Sequence, residues 1–339
     1  MSRTSSRVPL EQRIGEFGAS RAPLTIWFLL VVAATGALVC AMLPAGPAWL
    51  GTAGAVGVAT AFTWGLAART GGRALVFAPL ALACALAAVA SDNELLLTGA
   101  AVGTSAVAAV LGVMITVPAA GIATAARECV VGLLVAGIGA MATVGFEPAI
   151  QKERFEYVGL GLAFVAAIVL VHRLGAGFHG LGRRGLVIVA IGAVVLAATL
   201  LYAELLRRYG STGLVDQLLD WVAWSRDTLG AFPRPIASVL GVPALAYGCH
   251  MRARRRQGWW VCAFGVAATS STATALANPA VSVQEAALSV VYGLAVGLVL
   301  GWLLIRLDLA FTGNRGRGSR VAEQAAAVRP EPGRFAPLL

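Results

Sequence analysis

Two stretches of this 339-residue sequence carry side chains able to do chemistry. One is GIATAARECVVG, residues 121–132, which sets Arg127 beside Glu128 in an apolar run. Neighbouring residues of a helix point about 100° apart and do not face each other, so each charge is expected to need another partner. Charges held within a membrane mark ion or solute paths by default. If the helix starts just after Pro118, both lie about 13 Å along it; if it starts at Arg127, both are ordinary interface residues. The other stretch is ATSSTATALANP, residues 268–279, with Thr269, Ser270, Ser271, Thr272, Thr274 and Asn278. Such hydroxyls can bond back to the preceding turn, glue helices together, or line a path for a neutral polar solute. The candidate binding residues are therefore Arg127, Glu128, Thr269, Ser271 and Thr272.

No other constellation reaches this level. The sequence holds no paired carboxylates, zinc-ligand spacing, nucleophile elbow or phosphate loop. Its five cysteines, Cys40, Cys84, Cys129, Cys249 and Cys262, lack metal or redox spacing and read as small apolar packing residues. His172, His179 and His250 fall at the ends of apolar runs, as surface histidines would. We assign no catalytic residue, no metal ligand and no cofactor, which ranks an enzyme last among the expected functions.

The elements that position these residues follow from composition. The chain is 58% hydrophobic and 12% charged, half the charge of an ordinary globular domain. A crossing needs about 20 apolar residues. Ten segments meet or approach that length: 24–43, 48–68, 74–91, 95–117, 129–146, 157–171, 185–203, 236–249, 258–277 and 286–305. Whether the short segments 157–171 and 236–249 cross fully stays open, and the latter contains Pro243. The first run is too long for a secretory leader and reads as an uncleaved span. The expected fold is an all-α, polytopic transmembrane helix bundle of about ten spans with both termini cytoplasmic. Residues 1–23 and 307–339 are expected to be disordered tails flanking a membrane domain, 24–306.

Charge sets the orientation. With the N-terminus inside, only Lys152, Arg154, Arg207, Arg208, Arg226 and Arg234 of the 26 basic residues fall outside. That is the positive-inside pattern. In GCHMRARRRQGWW, residues 248–260, Arg252, Arg254, Arg255 and Arg256 form a cytoplasmic anchor. Translocating each would cost about 2.5–3.5 kcal/mol. They also attract anionic lipid headgroups, whereas a tight turn without an aromatic platform excludes nucleic acid as a partner. Trp259 and Trp260 read as an interfacial belt. The one large outer loop, 204–235, holds an amphipathic stretch over 211–232. Leu214, Val215, Leu218, Trp221, Val222 and Leu229 share one face of it, opposite Asp216, Asp220 and Asp227. It reads as a helix on the outer leaflet, or as a lid.

Glycines mark packing faces. GLAVGLVLG places Gly293, Gly297 and Gly301 four apart, and GAAVG places Gly99 and Gly103 likewise. Small residues at that spacing let backbones approach, within the bundle or across a homodimer.

The C-terminal third, with RARRRQGWWVCAFGVAAT, GWLLIRLDLAFTG and RPEPGR, resembles polytopic integral membrane proteins of high-GC Gram-positive bacteria. The resemblance covers about a quarter of the chain; it implies a bacterial plasma membrane and transfers no activity. Ten spans with both ends inside also fit two inverted five-span halves, a transporter plan, and drug/metabolite permeases share this size without sharing a motif. Expected functions, in order, are a permease for a small solute, a non-catalytic scaffold or accessory subunit of an envelope complex, and a lipid-modifying enzyme.

Overall fold

The computed structural model describes residues 22–43, 45–148, 152–175, 182–209, 212–254, 257–277, 281–312 and 331–339. Arg255, Arg256, Asn278, His179, Ser211 and the N-terminal segment 1–21 lie outside them. Among the described residues every regular element is helical. They are α1 (Ala22–Met42), α2 (Trp49–Arg69), α3 (Ala74–Ser91), α4 (Glu94–Met114), α5 (Ile122–Phe146), α6 (Lys152–Arg173), α7 (Gly182–Tyr209) and α8 (Thr212–Leu229). A π-helical turn, Ile236–Gly241, then leads into α9 (Val242–Arg252), followed by α10 (Gly258–Ala263), α11 (Val266–Leu276) and α12 (Val283–Thr312).

Seven of these helices are long and apolar enough to cross a membrane, which makes this a membrane protein. They are α1 to α6 and α12, with α6 counted from Phe155 and α12 to Ala310. The remaining three apolar segments are α7 and two interrupted helices. In α7 the apolar stretch is Val189–Leu201. The segment around Pro243 is split between the π turn and α9. A proline has no N–H to give and its ring crowds the carbonyl four residues back. The wider turn absorbs that misfit: Val242 N–H reaches back to the Ala237 carbonyl instead. The ninth apolar segment is broken at Phe264–Gly265, where the Gly265 N–H bonds to the Cys262 carbonyl at 2.8 Å. A side chain at Gly265 would meet Leu245 Cδ1 at 2.9 Å, so α9 presses directly on the break.

Local signals explain the ends of the uninterrupted helices. Asn93 caps α4, its Oδ1 accepting from Leu95 N–H at 2.9 Å and Leu96 N–H at 3.3 Å. Helix α5 starts at Ile122, with Thr124 Oγ1 accepting from Gly121 N–H at 3.1 Å. Glu128 therefore lies about 9 Å along α5, between the two starts considered from sequence.

Two buried clusters form the core. One joins α1, α2, α4 and α5 around Leu38, Phe62, Leu111 and Phe146. The other surrounds the interrupted helices α9 to α11, with Leu245, Trp260 and Phe264 against α4, α5 and α6. Trp259 and Trp260 are buried, which corrects the interfacial-belt expectation: the chain turns inward at Gly258, and both indoles enter the bundle. His250 is also buried.

Helix α8 lies at the opposite end of the bundle from residues 331–339. It turns Val215, Leu218, Val222 and Ser225 inward and leaves Leu219, Trp221 and Trp224 exposed. The inward residues lie within the expected face, of which Trp221 at its edge and Leu229 at the helix end are exposed. An ion pair holds this helix to α12, Arg226 Nε to Glu285 Oε1 at 3.0 Å. Gly230, at φ +77°, ends it.

Residues 331–339 return to the bundle and dock across the ends of five helices. Residues 307–312 continue α12, so these two stretches of the tail expected to be disordered over 307–339 are structured, and 313–330 lie outside the described residues.

Candidate functional site

The polar centre of the molecule is built where the tail docks. Its first member is Arg252, the last residue of α9, whose side chain is wholly enclosed. Its guanidinium lies over the Trp259 ring at 3.4 Å from the centroid. Nη1 donates to Thr116 Oγ1 at 2.8 Å, and Nη2 to the Thr116 carbonyl at 3.0 Å. Nε donates to Glu331 Oε2 of the tail at 3.2 Å. A cation taken out of water needs this density of acceptors, because an unpaired buried charge is very costly. Arg252 is therefore a structural clamp, besides belonging to the basic run between α9 and α10.

Glu128 is the second member, and its side chain is also fully enclosed. Oε1 accepts from Arg127 Nη2 at 2.9 Å and from Arg334 Nη2 at 2.9 Å. Oε2 accepts from Val117 N–H at 2.9 Å, beyond the end of α4. Arg127 and Glu128 do pair, contrary to the expectation from their adjacency. The Arg127 stem is long enough to bend round the helix edge while its side chain stays 61% exposed. Arg334 adds a bond to the Ile115 carbonyl at 3.2 Å.

Arg69 is the third member, at the C-terminus of α2, where a cation meets the free carbonyls of the last turn. Nε donates to the Met114 carbonyl at 2.9 Å and Nη1 to the Gly333 carbonyl at 2.7 Å. Nη1 also donates to the Ala336 carbonyl. The Arg69 carbonyl in turn accepts from Leu338 N–H at 2.8 Å. Phe335 completes the docking against α1, its ring 5.3 Å from that of Phe28 and 6.4 Å from that of Trp27. One short segment thus ties the start of α1, the ends of α2 and α4, the start of α5 and the end of α9.

The hydroxyls of α11 lie elsewhere, deep in the bundle, and are buried. Thr269 Oγ1 donates across to the Ala109 carbonyl of α4 at 3.0 Å. Ser271 Oγ donates to the Ala268 carbonyl at 2.7 Å and Thr272 Oγ1 to the Thr269 carbonyl at 2.6 Å. Beside them α4 and α5 touch through backbone: a Cβ at Gly112 would fall 2.6 Å from the Gly132 carbonyl oxygen and 3.2 Å from Thr269 Cγ2. Arg127 and Glu128 are therefore not brought together with Thr269, Ser271 and Thr272.

The glycines divide. A Cβ at Gly293, Gly297 or Gly301 would meet Ser238 Oγ at 3.4 Å, Val242 Cβ at 2.5 Å or Ala246 Cβ at 3.0 Å, so this stripe seats the π turn and α9. Nothing lies within 4 Å of a Cβ at Gly99 or Gly103. Of the two roles expected of them, they do not seat a neighbouring helix of this chain. They line an open groove of about 520 Å³ between α3 and α4, walled largely by alanines.

Sequence reasoning found Glu128 and missed Arg69, Thr116, Glu331 and Arg334. The usable signal was the density of Arg, Glu and Phe in RPEPGRF, residues 329–335. No protein-family model, no curated protein and no solved structure matches the chain.

Proposed function

We propose that this protein is a non-catalytic membrane scaffold or accessory subunit that crosses a bacterial plasma membrane ten times with both termini cytoplasmic. One observation carries the scaffold reading. The side chains best suited to line a solute path are engaged inside the fold, with Thr269 bonded to α4 where the α4 and α5 backbones touch. Hydroxyls whose hydrogen bonds are met by carbonyls, beside a backbone contact, act as packing glue.

The topology reading is supported by which ends meet. Alternating passes put the start of α1, the ends of α2, α4 and α9 and the start of α5 on one side. The tail contacts all of these. The basic residues of the sequence collect on the same side, so that side is read as cytoplasmic.

A second reading, a permease for a small solute, draws on the two interrupted helices. Discontinuous segments near mid-membrane are where many transporters bind substrate. Here the break at Gly265 is filled by Leu245, which favours the scaffold.

Substituted-cysteine labelling separates the readings. With Cys40 and Cys84 replaced, Thr269→Cys and Thr272→Cys should resist a water-soluble maleimide from either side of the membrane, while Asp220→Cys on α8 should label from outside intact cells. Rapid labelling at 269 or 272 would restore the permease. Failure at 220, with labelling only after lysis, would reverse the orientation.

A further inference from the structure

The groove of about 520 Å³ between α3 and α4 is also lined by Ala59 and Thr63 of α2, and the described residues that line it carry no charge. It follows α4 from Leu95 to Val107, about 18 Å at 1.5 Å per residue. That volume over that length gives a mean width of about 6 Å, too narrow for a helix, which measures about 10–12 Å across with its side chains. A single hydrocarbon chain is slender enough to lie in it. Along the same helix α3, Leu80, Leu82 and Leu86 are exposed, as side chains facing lipid are. What fills the groove therefore comes from the bilayer.

Two hydroxyls in this apolar groove are unmet. A threonine in an apolar helix ordinarily donates to the carbonyl one turn back, as Thr35 does to Val31 at 2.7 Å and Thr60 to Val56 at 2.8 Å. Ser105 does the same to the Ala101 carbonyl at 2.7 Å. Its neighbour Thr104 does not. Thr104 is only 6% exposed, lines the groove, and has no hydrogen-bond partner among the described residues. The unpartnered side-chain atoms that are sealed from all contact belong to Arg69 and His250. The little surface that Thr104 keeps therefore includes its oxygen, and that surface lies on the groove. Thr63, half-buried on α2, is likewise unpartnered among the described residues. Thr104 stands at the middle of α4, Glu94–Met114, at the depth of the hydrocarbon core, away from water and lipid headgroups. A hydroxyl left unbonded there is costly.

We propose that the groove binds a neutral, chain-like lipid that carries a carbonyl or hydroxyl oxygen. The chain lies along Gly99 and Gly103, where nothing approaches within 4 Å of a Cβ, and the oxygen hydrogen-bonds to Thr104. The chain of an ordinary phospholipid would fill the same space and leave the hydroxyl unmet. This goes beyond the scaffold reading and holds for either orientation of the bundle in the membrane.

The test uses the full chain in phosphatidylcholine nanodiscs, with a photoreactive dodecanol bearing a diazirine in its chain. Irradiation should place adducts on the residues of α3 and α4 that line the groove. Excess dodecanol should displace them, and dodecane should do so less well. Thr104→Val keeps the shape of the side chain and removes the hydroxyl, so it should cut the preference for alcohol over alkane by about threefold to tenfold, the size of one net hydrogen bond. Thr104→Ser should retain the preference. Gly103→Leu should block the adducts by filling the groove with Thr104 intact. The proposal is overturned if dodecane competes as well as dodecanol, if Thr104→Val keeps the full preference, or if the adducts fall elsewhere or survive Gly103→Leu. It is also overturned if, with Cys40 replaced, Cys84 on the groove wall forms a disulfide between two copies in place of taking the probe, since the occupant would then be a second bundle. Should Thr104→Val fail to fold, the comparison of alcohol with alkane on the native chain and Gly103→Leu decide.

Discussion

Helices α12 and α4 carry the same sequence device with opposite results. Gly293, Gly297 and Gly301 on α12 lie against the π turn and α9, with too little room at Gly297 for even one methyl group. Gly99 and Gly103 on α4 have the same four-residue spacing and face an open groove. Spacing along a helix determines which residues share a face; it does not determine what that face meets. The difference arises in the partner. Opposite α12 the chain is widened by a π turn and supplies Ser238, Val242 and Ala246 in register. Opposite Gly99 and Gly103 the groove wall on α3 is set by Ala81, Cys84 and Ala88.

The contrast can be broken most severely at Gly297. Leucine there would drive a side chain into Val242, and overpacking of this kind costs about 1–3 kcal/mol or more. A marked fall in the unfolding temperature of the detergent-solubilised protein is expected; an unchanged midpoint would mean that α12 faces lipid at this position. Gly301→Ala should do less. The added methyl meets Ala246 Cβ at 3.0 Å, a crowding that a small helix shift relieves. Helix propensity gains up to about 1 kcal/mol in the same substitution. The midpoint should fall by a few degrees or stay level. Gly103→Ala sharpens the comparison from the other side. With open space around it, only the propensity gain remains, so the protein should hold its midpoint or rise slightly. A loss as large as that of Gly297→Leu would show that the groove is occupied in the folded protein.

The helical elements were largely legible in the sequence because membrane crossing demands long apolar runs, and each of the ten runs contains a helix. The breaks were less so. Pro243 announced an irregular eighth segment; at Gly265 the backbone keeps helical angles and tightens to the Cys262 carbonyl three residues back, marked locally only by one glycine among the sequence's forty. The polar centre was the least legible part. Glu128 stood out as an acid in an apolar run. Its partner Arg334 lies 206 residues away, and Glu331 lies 79 residues from Arg252. Such pairings leave no periodicity, and a polar, proline-containing tail reads as solvated unless its partners are known. Trp259 and Trp260 show the same limit: interfacial and buried tryptophans look alike in sequence, and only the inward turn at Gly258 distinguishes them.

The central claim is that the chain closes one end of its own bundle with residues 331–339. It is tested most directly by cross-linking in native membranes. A Cβ built at Gly71, in the turn after α2, falls 2.8 Å from Leu339 Cβ. With Cys40 and Cys84 replaced, the pair Gly71→Cys and Leu339→Cys should form a disulfide rapidly under mild oxidation, giving an internally linked monomer. Leu339→Cys paired with Asp220→Cys on α8, at the far end, should give none. A tail that links to neither position, or to both alike, would contradict the account.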